Sequence, residues 1–180
     1  MPNVSHLECN LCGNQFEARK IHNLCSCGGA LLVRYNIDAI RKDWDRDTLF
    51  AAKPDMWRYW PVLPVNHRNS IVSLGEGMTP LIATKRLGKA LGAEDLWIKD
   101  EGLNPTGSFK ARGMSAAISM ARELGIFKVA VPSAGNAASA AAAYAAAAGM
   151  EAHIFMPMDV PQANFVECKA LGAQDRKSVV

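Results

Sequence analysis

This sequence of 180 residues has no long apolar run, no block of like charge and no internal repeat. Its most apolar stretch, Ala137 to Ala148, is alanine-rich and interrupted by Ser139 and Tyr144. It is too short and too weakly apolar to span a bilayer, so no membrane partner is predicted. The opening Met1-Pro2-Asn3-Val4-Ser5-His6 lacks a charged segment leading into an apolar one, and the expectation is a cytoplasmic protein. A net charge of +3, without a dense basic stripe, argues against nucleic acid as a partner. Aromatic residues make up 7% of the chain and gather around Met56-Trp57-Arg58-Tyr59-Trp60, where no basic run accompanies them, so they read as packing anchors. What remains, 49% hydrophobic and 21% charged, is the composition of an ordinary globular domain with room for a small attached module.

Cysteines are few but patterned. Four of the five fall in the first thirty residues as Cys9-Asn10-Leu11-Cys12-Gly13 and Cys25-Ser26-Cys27-Gly28-Gly29. In a reducing compartment such pairs read as metal ligands rather than disulfides, and the spacing is close to that of a zinc ribbon. Thiolates suit tetrahedral zinc, and glycine after each pair lets the backbone turn two sulfurs towards one ion. Cys9, Cys12, Cys25 and Cys27 are therefore the candidate ligands of a structural zinc; the alternative is four reduced, unliganded thiols. His6 and His22 lie nearby and read as surface histidines. Cys168 falls in a helical pattern and reads as a buried thiol.

Three regions follow: a ribbon-like module over 1–35, a connecting arm over 36–78, and an alternating catalytic part over 79–180. Leu31 to Tyr35 reads as the closing strand of the first. Asp38 to Asp47, with Ile40 and Trp44 at helical spacing, reads as one short helix. Residues 56–65, broken by Pro61 and Pro64, read as an extended arm. Beyond the glycine-punctuated Ser73-Leu74-Gly75-Glu76-Gly77-Met78-Thr79-Pro80-Leu81-Ile82, strands and helices alternate. Strands are expected at 96–99, 127–131 and 152–156, and helices at 108–124, 137–148 and 161–171. Alternation of this kind implies an α/β fold, a parallel sheet with helical crossovers.

The chain is organised around Asn104-Pro105-Thr106-Gly107-Ser108-Phe109-Lys110-Ala111-Arg112-Gly113. Turn residues run directly into an apolar helix, so Ser108 is a candidate N-cap and Lys110 falls in the first turn. There a cation meets the positive end of the helix dipole, which favours the neutral amine, the nucleophile that adds to carbonyl carbons. Pro132-Ser133-Ala134-Gly135-Asn136 lies where ligands bind in open α/β sheets, between a strand's carboxyl end and a helix; Ser133 or Asn136 could instead simply cap that helix.

The stretch around Lys110 resembles the lysine motif of fold-type II pyridoxal-phosphate (PLP) enzymes, the tryptophan synthase β family. With the preceding Lys99-Asp100-Glu101-Gly102-Leu103 and the upstream Gly-Glu-Gly-x-Thr-Pro-Leu, it is most similar to the threonine synthases, some of which also begin with a cysteine ribbon. Many relatives carry Asp where this chain has Ala111, so that position adds nothing. The resemblance implies that Lys110 holds PLP and acts as acid and base. It implies that Asn136 contacts the cofactor and that Ser133, Ala134 and Gly135 meet the substrate's anion through a loop suited to anions. The implied reaction takes O-phosphohomoserine and water to threonine and phosphate, in an enzyme that is a homodimer at full length. A serine/threonine dehydratase and a cysteate synthase share the lysine motif and are the alternatives within the fold; a ribbon-only binding module is the alternative outside it. The family's phosphate-cradling loop normally lies downstream of Gly172-Ala173, where this sequence turns polar, so the expectation is a truncated chain with weak PLP binding and no activity.

Overall fold

The computed structural model describes residues 3–178. The chain opens with an antiparallel sheet of β1 (Val4–Cys9), β2 (Gln15–Phe16) and β3 (Leu31–Tyr35), in the order β2-β1-β3. Cys9 pairs with Leu31 and Leu7 with Phe16, which leaves both cysteine turns at one end of the sheet.

The single helix expected over 38–47 is two: α1 (Ile37–Asp43) and α2 (Arg46–Ala51). Trp44 and Asp45 are extended between them, and Asp45 starts a new helix as a capping box. Its carboxylate accepts the Thr48 N–H at 2.8 Å while the Thr48 hydroxyl accepts the Asp45 N–H at 3.1 Å. A strong cap inside an amphipathic pattern restarts the helix there. The extended arm expected at 56–65 is instead a 3₁₀ helix over Met56–Val62, kinked at Tyr59. Its N-terminal amide at Trp57 is held by the Asp55 carboxylate at 2.8 Å, and Met56 and Trp57 are buried. Burial of two large side chains on one turn overrides the extended reading of Pro61, whose fixed φ a helical turn accommodates.

The rest of the chain contains β4 (Leu81–Ala83), α3 (Lys85–Leu91), β5 (Trp97–Lys99), α4 (Lys110–Glu123), β6 (Lys128–Pro132), α5 (Asn136–Ala148), β7 (Glu151–Pro157), α6 (Gln162–Ala170) and β8 (Gln174–Ser178). β6, β7 and β8 form a parallel sheet in that order. β4 and β5 form a separate antiparallel pair, because α3, which the sequence reading did not foresee, returns the chain to the end it left, with Ala83 opposite Trp97. The polar residues after Ala173 do make a strand: β8 adds to the free edge of β7, from His153 opposite Gln174 to Pro157 opposite Ser178. An edge strand needs backbone partners but not two apolar faces, so a polar sequence can occupy it.

The core is built around α5, whose Ala138, Ala140, Ala141, Ala142, Tyr144 and Ala145 are all at most 1% exposed. It packs against α4, α6, β6 and β7, with Ile118, Ile154, Met156 and Cys168 around it. A helix of small side chains can be approached closely from several sides at once.

Candidate active site and metal centre

The segment before α4 turns twice before it enters the helix. Thr106 sits at φ +59° and Gly107 at φ +67°, Ser108 is extended, and Phe109 is already helical. Phe109, not Ser108, occupies the formal cap position, yet Ser108 still does a cap's work by accepting the Lys110 N–H at 3.4 Å. Lys110 is exposed as the first residue of α4. Its Nζ lies 4.9 Å from the centre of the Phe109 ring and makes no ion pair among the described residues.

This turn is anchored through one carboxylate, which the sequence reading did not single out. Glu101 receives Arg112 Nε at 2.6 Å and Nη2 at 2.8 Å, the Thr79 hydroxyl at 2.6 Å and Asn104 Nδ2 at 2.8 Å. Asn104 in turn accepts the Gly77 N–H at 3.1 Å. The Arg112 guanidinium, with help from Thr79 and Asn104, holds the Glu101 carboxyl down at about 2 despite partial burial. Residues on either side of Lys110 are thus tied to the loop that carries Thr79. An acid eleven positions before an arginine across a turn-rich segment was the only signal for it, and nothing in such a spacing singles out a contact.

A second carboxylate is wholly buried. Glu76 Oε1 accepts the Ser115 hydroxyl at 2.6 Å and Trp57 Nε1 at 3.0 Å, while Oε2 accepts the Tyr144 hydroxyl at 2.5 Å and the Leu74 N–H at 3.0 Å. Burial pushes its carboxyl up, but these donors outweigh burial and hold it below the usual range. Burial, reinforced by the bond to Glu76, pushes the Tyr144 hydroxyl well above its ordinary value. The flanking backbone is unusual, with Gly75, Gly77 and Met78 all at positive φ. A Cβ on Gly77 would lie 2.6 Å from the Met56 nitrogen, so only glycine fits there.

Ser133, Ala134 and Gly135 form the loop at the carboxyl end of β6. The Ser133 N–H donates to Phe155 O at 3.1 Å, and Ala134 O accepts Asn164 Nδ2 of α6 at 2.7 Å. The Ser133 hydroxyl accepts the Gly135 N–H at 3.3 Å. Gly135 is the cap of α5, without a side-chain bond, so neither Ser133 nor Asn136 serves as a side-chain cap. Asn136 is exposed as the first residue of α5. The Ala138 N–H already donates to Gly135 O at 2.8 Å, so the amides of Asn136 and Ala137 are the ones at this helix start that can meet an anion. α4 packs on α5, as does the Pro105–Gly107 turn, so the structure sets the head of Lys110's helix and the helix begun by Asn136 in one packed unit.

Far from this unit in sequence, the sulfurs of Cys9, Cys12, Cys25 and Cys27 all lie within 4.8 Å of one another. The separations are 3.4 Å for Cys12–Cys27, 3.5 Å for Cys9–Cys27 and 3.6 Å for Cys12–Cys25. Four sulfurs at about 2.3 Å from a tetrahedral zinc stand roughly 3.8 Å apart, so the set fits such an ion. The Cys27 amide draws the Cys25 thiol down to about 6. Cys12 has the Asn14 amide favouring its thiolate, but bonds with the other three sulfurs outweigh it and push it up to about 12. Four sulfurs this close cannot all ionise without a cation among them. Gly29 lies against the cluster: a Cβ there would fall 2.5 Å from Cys9 Sγ.

Among the described residues no helix is long and apolar enough to cross a membrane. Residues 72–178, more than half of the chain, match the profile of the family described as pyridoxal-phosphate dependent enzyme, and the chain belongs to that family. Within it, the matching curated relatives include threonine synthases. That of Methanocaldococcus jannaschii is 40% identical over 149 residues, covering 83% of this chain and 37% of its own. That of Synechocystis sp. is 48% identical over 100 residues, covering 55% and 26%. Among solved structures, maize serine racemase superposes with a TM-score of 0.52 at 29% identity, over 57% of this chain and 31% of that one. Processed threonine deaminase isoform 2 of Solanum lycopersicum does so with a TM-score of 0.50 at 32% identity, over 56% and 28%. The α/β architecture expected from the alternating pattern is thus that of fold-type II PLP enzymes. The chain spans about a third of the length of the curated relatives it matches.

Proposed function

We propose that this chain carries the lysine side of the PLP site of a threonine synthase, acting on O-phosphohomoserine. The observation that carries the reading is the placement of Lys110. Its side chain is exposed at the head of α4 with the amine beside the Phe109 ring, and its turn packs on the helix that Asn136 begins. An amine without a counter-ion is open to a carbonyl ligand, and the matching threonine synthases supply the reaction class.

When bound, PLP supplies an electron sink for the charge left as an amino-acid substrate loses a proton. The chain's own residues bind and move protons. Lys110 holds the cofactor and then serves as acid and base at the substrate carbons. Asn136 contacts the cofactor, and Ser133, Ala134 and Gly135 receive the substrate's anion at the amides leading into α5. Glu101 and Arg112 fix the turn from which Lys110 projects. Cys9, Cys12, Cys25 and Cys27 hold a structural zinc: all four coordination positions are filled by protein, which leaves no site for water or substrate. The full-length enzyme is a homodimer, as the resemblance implies, and works in the cytoplasm, which fits a biosynthetic enzyme.

The test is to incubate the purified chain with PLP, reduce with borohydride and map the modified residue by peptide mass spectrometry. A pyridoxyl group concentrated on Lys110, and absent from Lys110→Ala, is the expected result; labelling scattered over surface lysines refutes the site. A dehydratase is the second reading, favoured by the resemblance to threonine deaminase. The product separates the two: threonine with phosphate for one, an oxo acid with ammonia for the other.

A further inference from the structure

We propose that Glu76 is a positioning residue for this site, setting how the heads of α4 and α5 stand against each other and so where Lys110 and Asn136 face their ligand. The proposal rests on the reading of Lys110 and Asn136 as cofactor contacts. Ser115 lies five residues into α4 from Lys110, and Tyr144 lies eight residues into α5 from Asn136. Both hydroxyls end on the one carboxylate, at 2.6 Å on Oε1 and 2.5 Å on Oε2. Trp57 and the Leu74 amide complete the set at 3.0 Å each, so both oxygens are occupied and the carboxylate has no freedom to drift.

The rest of α5 gives little directional hold on α4. Its flank is alanine, and contacts between small apolar side chains resist sliding or rotation only weakly, whereas hydrogen bonds to a buried carboxylate fix direction as well as distance. Glu76 is itself fixed by its loop: its carbonyl accepts the Met56 N–H at 2.8 Å, and Gly77 beside it bonds to Asn104 of the Lys110 segment. One chain of bonds therefore runs from Tyr144 through Glu76 and Asn104 to Glu101 and Arg112. No ion pair to Glu76 is formed among the described residues; Arg112 feels its charge, but that guanidinium is engaged by Glu101. Neutral donors, not a counter-ion, hold this carboxylate, which suits a geometric role.

The test compares the full chain with Glu76→Gln and with Tyr144→Phe, well below the unfolding midpoint of each. Hydrogen exchange read by mass spectrometry reports on the peptides at the heads of α4 and α5, with α6 as the internal reference. Borohydride trapping reports PLP affinity at Lys110. A positioning role predicts about tenfold faster exchange at both helix heads with α6 unchanged. It also predicts roughly tenfold weaker capture at Lys110 in each single variant, and no further loss when the two are combined. Folded variants with unchanged exchange at the heads, or with exchange raised equally in α6, overturn the proposal whatever PLP does. Raised exchange at the heads in a protein that never captures PLP at Lys110 supports the clamp and refutes the functional reading instead.

Discussion

Replacing Glu101 by glutamine removes the charge on which Arg112, Thr79 and Asn104 converge. Its carboxyl stands at about 2 in the folded chain against an ordinary value of 4.5. At about 1.36 kcal/mol per pH unit that difference sets a ceiling of roughly 3 kcal/mol on its contribution. The Glu101 and Arg112 side chains are 24% and 29% exposed, so water screens the pair and about 1–2 kcal/mol is expected at neutral pH. The sign follows from the depressed value: the contribution is fully present above 4.5 and is lost as pH falls through about 2. Urea unfolding of the parent and Glu101→Gln at a series of pH values measures it. The stability gap should be widest near neutral pH and close progressively below 4.5. A gap that does not change with pH, or no gap at neutral pH, would show that the network is held by something other than this charge.

Gly29→Ala places a methyl 2.5 Å from Cys9 Sγ and should reduce bound zinc to well below one equivalent, read by elemental analysis of protein grown with the metal. Retention of a full equivalent would mean that Cys9 shifts to accommodate the methyl, and a parent protein grown with the metal that holds no zinc would mean that the four sulfurs are not a metal site. Thr106 is a β-branched residue at φ +59° whose hydroxyl is buried without a partner, so Thr106→Gly should raise stability by up to about 1 kcal/mol in thermal melting. A loss of stability would show that the methyl packs more usefully than the strain costs. Ile154→Ala, at a wholly buried position of β7, should cost about 2–4 kcal/mol; a cost under about 1 would mean that the sheet face there is loosely packed.

Much of this was legible in the sequence where a local pattern and its physical cause coincide. The helix of Ala137 to Ala148 and the strands at β6 and β7 followed from periodicity and from glycines at helix ends, since a residue at left-handed φ stops a helix wherever it occurs. The Lys110 turn and the paired cysteines were legible because both are local. What failed was decided elsewhere. The 3₁₀ helix at Met56–Val62 depends on burial of Trp57 against Glu76, and β8 depends on the open edge of β7. Glu76 and Glu101 were invisible as hubs for the same reason. Their partners come from as far as sixty-eight positions away, and a lone glutamate in a glycine-rich loop gives no sign of what will fold around it.

The alanines of α5 carry one more consequence. Between Ala138 and Ala145, where every residue is buried, the helix is enclosed by α4, α6, β6 and β7 and has no outward face on which sequence can vary freely. At the fully buried alanines of that stretch a larger side chain must displace a neighbouring helix or strand. The helix acts as a gauge block that fixes the spacing of the layers around it. Selection for a different substrate would have to work through loops at the ends of α5, because its middle cannot be widened to admit one.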